Sequence, residues 1–119
     1  MKVLLIDDSA LARRMLRRIL EKGNCEVIEA KDGAEGLEKF YLEKPDITFL
    51  DLTMEGISGF DVLAKIKELD PSAIVIVATA DIQKFTKEEV EKLKADGFIN
   101  KPFKEEEVLQ IIKNITPGR

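Results

Sequence analysis

Five short apolar runs punctuate the chain, at Val3 to Ile6, Cys25 to Ala30, Ile47 to Leu50, Ile74 to Ala78 and Phe98-Ile99, with helical periodicity between them. A run that is apolar at nearly every position suits a strand covered on both faces. Each interval is long enough to carry the chain back and start the next strand parallel to the last. Right-handed crossovers with helices on both sides then give an open, doubly wound α/β sheet of five strands and five helices.

The intervals carry their own start and stop signals. Ser9 caps a helix over Ala10 to Lys22, with Gly23 in a left-handed turn to end it. In that helix Leu11, Met15 and Ile19 join Ala12, Leu16 and Leu20 as the inward stripe, and Arg13, Arg14, Arg17 and Arg18 form the wet face. Asp32 with Glu35, Ser58 with Asp61 and Thr86 with Glu89 read as capping boxes. The second helix carries Leu37, Phe40 and Tyr41 and stops near Lys44, because Pro45 disfavours helical geometry in the residue before it. The third turns Phe60, Leu63 and Ile66 to the sheet and exits at Pro71. The fourth has only Val90 and Leu93 as apolar contacts, and the last, from Glu105 to Ile115, turns in Val108, Ile111, Ile112 and Ile115. Residues 116–119 read as a frayed end, and Cys25 to Ala30, the most polar run, as an edge strand.

Composition narrows the chemistry. The 119 residues are 45% apolar and 35% charged, a single compact domain by length and composition. With no histidine and one cysteine, Cys25, the chain holds neither a Ser-His-Asp triad, a multi-cysteine metal cage nor an internal disulfide. A formal charge of −4 disfavours direct nucleic acid binding, although the arginines of the first helix form a basic surface that can steer an acidic protein partner. The apolar runs are too short for a signal peptide or membrane span, so a cytoplasmic protein without membrane insertion is expected.

In a doubly wound sheet the functional crevice lies at the carboxyl ends of the strands. Polar residues collect there: Asp7 and Asp8 after the first strand, Asp51 after the third, Thr79 after the fourth and Lys101 after the fifth. Two carboxylates about 5 Å apart repel by about 3 kcal/mol at an effective dielectric of 20, so an acidic cluster requires a counter-charge. Oxygen-only donors suit Mg²⁺ better than zinc. A carboxylate, Mg²⁺ and a lysine around one position are what phosphoryl transfer requires, since its catalysis is mainly alignment and charge neutralisation. The Thr79 hydroxyl can donate to a transferred oxygen.

Asp7-Asp8-Ser9, Asp51-Leu52-Thr53-Met54 with Gly59 downstream, Thr79-Ala80, Gly97-Phe98 and Lys101-Pro102-Phe103 together resemble the receiver domain of two-component response regulators, the CheY-like superfamily, over the whole chain. The resemblance implies a single receiver domain over residues 1–119, with the flavodoxin-like (βα)5 fold and strand order 2-1-3-4-5. It implies that Asp51 accepts a phosphoryl group from a sensor histidine kinase or phosphotransfer protein. Asp8, Asp51 and the Thr53 carbonyl correspond to the Mg²⁺ ligands, Asp7 to an acidic residue acting largely through water, and Lys101 to the phosphoryl contact before a cis proline. Thr79 and Phe98 correspond to a switch pair that turns an output surface toward an output protein or a fused effector domain. Such a domain is not a conventional turnover enzyme: it catalyses Mg²⁺-dependent phosphorylation of its own Asp51 and its own dephosphorylation.

The chain departs from the family pattern in two places. Glu55 stands where proline is usual, adding negative charge and removing a restraint. Phe98 replaces the tyrosine usual in chemotaxis members, so packing alone must report its position. Asp7-Asp8-Ser9 and Arg13-Arg14 resemble the chemotaxis subgroup more than the DNA-binding regulators. The competing readings are a phosphorylation-independent interaction scaffold, to which Glu55 points; a flavin mononucleotide carrier, which lacks a glycine-containing phosphate loop here; and an aspartyl-phosphate hydrolase, which lacks its Asp-x-Asp-x-Thr arrangement.

Overall fold

The computed structural model describes residues 1–54, 56–80 and 87–115, apart from the side chains of Lys87 and Val90. The expected roles of Glu55, the Thr86 cap, the Val90 contact and the frayed end at 116–119 lie outside the described residues. Among the described residues ten elements alternate: β1 (Lys2–Ile6), α1 (Ala10–Lys22), β2 (Glu26–Ala30), α2 (Gly33–Glu43), β3 (Ile47–Asp51), α3 (Gly59–Leu69), β4 (Val75–Thr79), α4 (Lys87–Leu93), β5 (Gly97–Asn100) and α5 (Glu105–Ile115). The strands form one parallel sheet in the order β2-β1-β3-β4-β5. This is the doubly wound arrangement expected from the alternation.

Side chains alternate across the sheet and feed two cores. Val3, Leu5, Phe49 and Ile76 meet Leu16 and Leu20 of α1 and Val108 and Ile112 of α5 on one face. Leu4, Ile6, Leu50 and Val77 meet Phe40 of α2 and Val62, Leu63 and Ile66 of α3 on the other. Every residue of β3 and β4 is buried, so these strands form the rigid centre. Three caps follow the sequence reading: Ser9 accepts from the Ala12 N–H, Asp32 from Glu35 and Ser58 from Asp61. Glu35 returns its carboxylate to the Lys31 N–H, one residue before the expected capping-box donor.

Four local expectations are corrected. Gly23 keeps a negative φ of −88°, and Asn24 takes the left-handed turn at 62°. Leu11 is 63% and Met15 40% exposed, leaving Leu16, Ile19 and Leu20 as the buried stripe of α1. Phe60 is exposed while Val62 enters the core. Gly59 sets that rotation, because a Cβ there would lie 2.4 Å from Leu52 Cα and 2.5 Å from the Asp51 carbonyl oxygen. Tyr41 is likewise exposed, and Phe40 alone of the second helix's three is buried. Among the described residues, no helix is long and apolar enough to cross a membrane.

Candidate functional site

The parallel register brings the ends of β1, β3, β4 and β5 to one edge, where the strand order reverses between β1 and β3. Asp7 and Asp51 are 6% and 3% exposed, unusual for carboxylates. Asp8 is exposed. One ligand oxygen from each of Asp7, Asp8 and Asp51 lies within 4.8 Å of the other two. Three carboxylates so close are mutually repulsive, and oxygen donors at this spacing fit a hard divalent cation.

Each buried carboxylate is aimed by neighbouring donors. Asp7 Oδ1 accepts from the Ser9 N–H at 2.9 Å, and its Oδ2 lies 2.7 Å from Lys101 Nζ. Asp51 Oδ1 accepts from both the N–H and the hydroxyl of Thr53, each at 3.1 Å. Asp51 Oδ2 is 3.5 Å from Lys101 Nζ. Burial pushes the Asp51 carboxyl above the ordinary carboxylate range, and the nearby Asp7 charge adds to this. The Thr53 hydrogen bonds and the Lys101 charge oppose it without reversing it.

Lys101 is held from β5 by its own N–H, which donates to the Thr79 carbonyl at 2.9 Å, and its peptide bond to Pro102 is cis. Thr79 is buried at the end of β4. Val77 pairs with Phe98 and Thr79 with Asn100, so Thr79 and Phe98 share one face of the sheet a single two-residue step apart. Phe98 packs half-buried against the core beneath α3. All seven residues singled out from the sequence therefore lie at or beside this edge.

Two residues escaped the sequence reading. Arg13 and Arg17, expected on the wet face of α1, turn to Glu29 of β2, and Arg13 also donates to the Asp7 carbonyl. Neither residue has a strand-end motif, and only the pairing of β1 with β2 puts Glu29 beside the first loop.

A doubly wound parallel sheet with a buried aspartate, two further carboxylates and a lysine at its carboxyl edge defines a domain built for phosphoryl transfer onto itself rather than turnover of an enclosed substrate. The pattern described as the response regulator receiver domain matches residues 3–113. Chemotaxis protein CheY of Thermotoga maritima is 38% identical over 116 residues, 97% of each chain, and protein PilG of Pseudomonas aeruginosa is 35% identical, over 99% of this chain and 89% of PilG. Among solved structures, Vibrio cholerae chemotaxis protein CheY4 superposes with a TM-score of 0.88 at 28% identity, over 96% of this chain and 97% of that one. Response regulator protein TrrA of Thermotoga maritima, solved in complex with Mg²⁺-BeF, gives 0.87 at 29% identity over the same shares. The chain belongs to the response regulator receiver domain family and is CheY-like, with an acidic site consistent with phosphorylation-controlled signalling.

Proposed function

We propose that Asp51 accepts a phosphoryl group from the phosphohistidine of a sensor kinase or phosphotransfer protein, and that the modified domain signals through a partner-binding surface. The observation that carries this reading is the placement of a nearly buried Asp51 carboxylate 3.5 Å from Lys101 and within one cation's reach of Asp7 and Asp8. Thr53 ties down Oδ1 with two hydrogen bonds, which leaves Oδ2 as the freer nucleophile. Attack by Oδ2 forms the aspartyl P–O bond as the donor's P–N bond breaks, and the bonding pair leaves with the imidazole nitrogen. Water later attacks phosphorus and returns the carboxylate.

Asp8, Asp51 and the Thr53 carbonyl would hold Mg²⁺, with Asp7 acting through water. When bound, the ion would neutralise charge on the phosphoryl oxygens. Lys101 places a second positive charge on that group, and the Thr79 hydroxyl donates to one of its oxygens. Phe98, on the same face, moves into the space the threonine vacates and carries the change to α4, β5 and α5. The exposed Leu11 and Met15, flanked by Arg14 and Arg18, offer the donor an apolar and basic approach beside Lys101. The relatives named for chemotaxis support a chemotaxis-type output.

Incubation with Mg²⁺ and acetyl phosphate tests the reading by intact mass and site mapping. The parent should gain one phosphoryl group at Asp51, and Asp51→Ala should not. An unmodified parent would favour a phosphorylation-independent scaffold.

A further inference from the structure

Arg13 lies six residues beyond Asp7 at the end of the first turn of α1, with its side chain only 17% exposed. Its guanidinium bridges two elements. Nη1 donates to the main-chain carbonyl of Asp7 at 2.6 Å, and Nε donates to Glu29 Oε1 at 3.0 Å. Glu29 is held in turn: Arg17 Nη1 takes its other carboxylate oxygen, and Lys39 of α2 donates to its carbonyl at 2.7 Å. The Asp7 N–H donates to the Ala30 carbonyl of β2 at 3.1 Å. Both main-chain polar groups of Asp7 are therefore engaged, the carbonyl by a side chain anchored on the neighbouring strand.

This matters because the Asp7 carbonyl and the Asp8 N–H belong to one planar unit. Aiming the carbonyl at Arg13 fixes the plane from which Asp8 departs. The carboxylates of Asp7 and Asp51 are aimed by Ser9, Lys101 and Thr53, as described above. Among the described residues, no side-chain hydrogen bond or ion pair holds the carboxylate of Asp8, whose place in the cluster depends on its backbone. We propose that Arg13 is a positioning residue for the divalent-cation site: forked between Glu29 and the Asp7 carbonyl, it sets the Asp7–Asp8 peptide so that Asp8 reaches the cation. The proposal rests on the reading of Asp7, Asp8 and Asp51 as a cation site. Two donors at a fixed angle are needed, which arginine has and a lysine ammonium lacks.

The sign of the effect separates positioning from charge. A cation close to a cation site opposes metal binding, so loss of the Arg13 charge by itself tightens Mg²⁺ binding. Loss of a hydrogen bond that orients a ligand weakens it, typically by tenfold or more. Arg13→Met, which keeps a long apolar stem, should therefore bind Mg²⁺ about tenfold more weakly than the parent. Arg13→Lys, which keeps the charge but not the fork, should weaken binding at least as much.

The experiment titrates MgCl₂ into each protein without phosphodonor and follows the backbone amide shifts of Asp51 and Thr53, with metal-free thermal midpoints recorded alongside. Asp8→Asn is titrated in parallel. Parent-like Mg²⁺ affinity in Asp8→Asn overturns the cation-site reading itself. If Asp8→Asn is impaired, but Arg13→Met binds as tightly as the parent or more tightly and Arg13→Lys matches the parent, the role of Arg13 is overturned and the site stands. Should Arg13→Met lack a folding transition without metal, Arg13→Lys decides the question alone.

Discussion

Lys101 Nζ sits 2.7 Å from Asp7 Oδ2, so the lysine's closest carboxylate is the one at the end of β1 rather than Asp51. Two elements far apart in sequence are joined by this pair across the site. It also makes Lys101 a resident counter-ion that shares the acidic cluster with any incoming cation.

Removing that charge should separate metal affinity from phosphoryl uptake. Even at the dielectric of water, one positive charge about 5 Å from a divalent ion costs about 1.7 kcal/mol, about 17-fold in affinity. Lys101→Gln should bind Mg²⁺ about 17-fold more tightly, yet take up phosphoryl from acetyl phosphate more slowly because no ammonium meets the transferred oxygens. Calorimetric titration and a phosphorylation time course on the same preparation check both halves.

The raised pKa of Asp51 gives a pH-dependent stability of known sign. Burial favours the protonated carboxyl in the folded state, so the ionised group destabilises the metal-free fold at neutral pH. The stability this group contributes is fully present below the unfolded carboxylate pKa and is lost as pH rises through the higher folded value. Asp51→Asn, which leaves Lys101 its contact with Asp7, should melt above the parent at pH 7 in chelator. The gap should close as pH is lowered through the carboxylate range. Melting curves across pH measure this, and a gap that widens in acid would contradict the assignment.

Thr48, at the buried centre of β3, has a hydroxyl without a hydrogen-bond partner among the described residues. An orphaned buried hydroxyl costs about 1 kcal/mol or more. Thr48→Val should therefore raise the thermal midpoint by about 3 °C without altering Mg²⁺ affinity, because the side chain is remote from the strand end. Thermal unfolding and Mg²⁺ titration of the variant provide the check.

Thr79 and Phe98 share a face of the sheet, which sets the expected route of signalling. Mg²⁺ with beryllium fluoride should shift backbone amides in the Asp7, Asp8 and Asp51 loops of the parent and also in β5 and α5. In Thr79→Ala the first set should remain and the second should shrink. An unchanged distal response would assign transmission to a route that bypasses Thr79.

Much of this molecule was legible along the chain. Apolar runs such as Ile74 to Val77 and caps such as Ser9, Asp32 and Ser58 are local features, governed by side-chain period and by donors within three residues, so the sequence determined the elements and the strand ends that carry Asp7, Asp8, Asp51, Thr79 and Lys101. Their chemistry was readable too, because carboxylates and a lysine at equivalent strand ends imply a shared edge once the strands are parallel. Tertiary structure decided the rest. That Arg13 turns to Glu29 and Asp7 while Arg14 stays exposed, that Phe60 points out and Val62 in, and that Lys101 lies nearer Asp7 than Asp51 all depend on contacts between residues distant in the chain. Periodicity gives the width of a helix face but not its rotation. That rotation is set by close approaches such as Gly59 against the Asp51 carbonyl, which exist only when the sheet has formed.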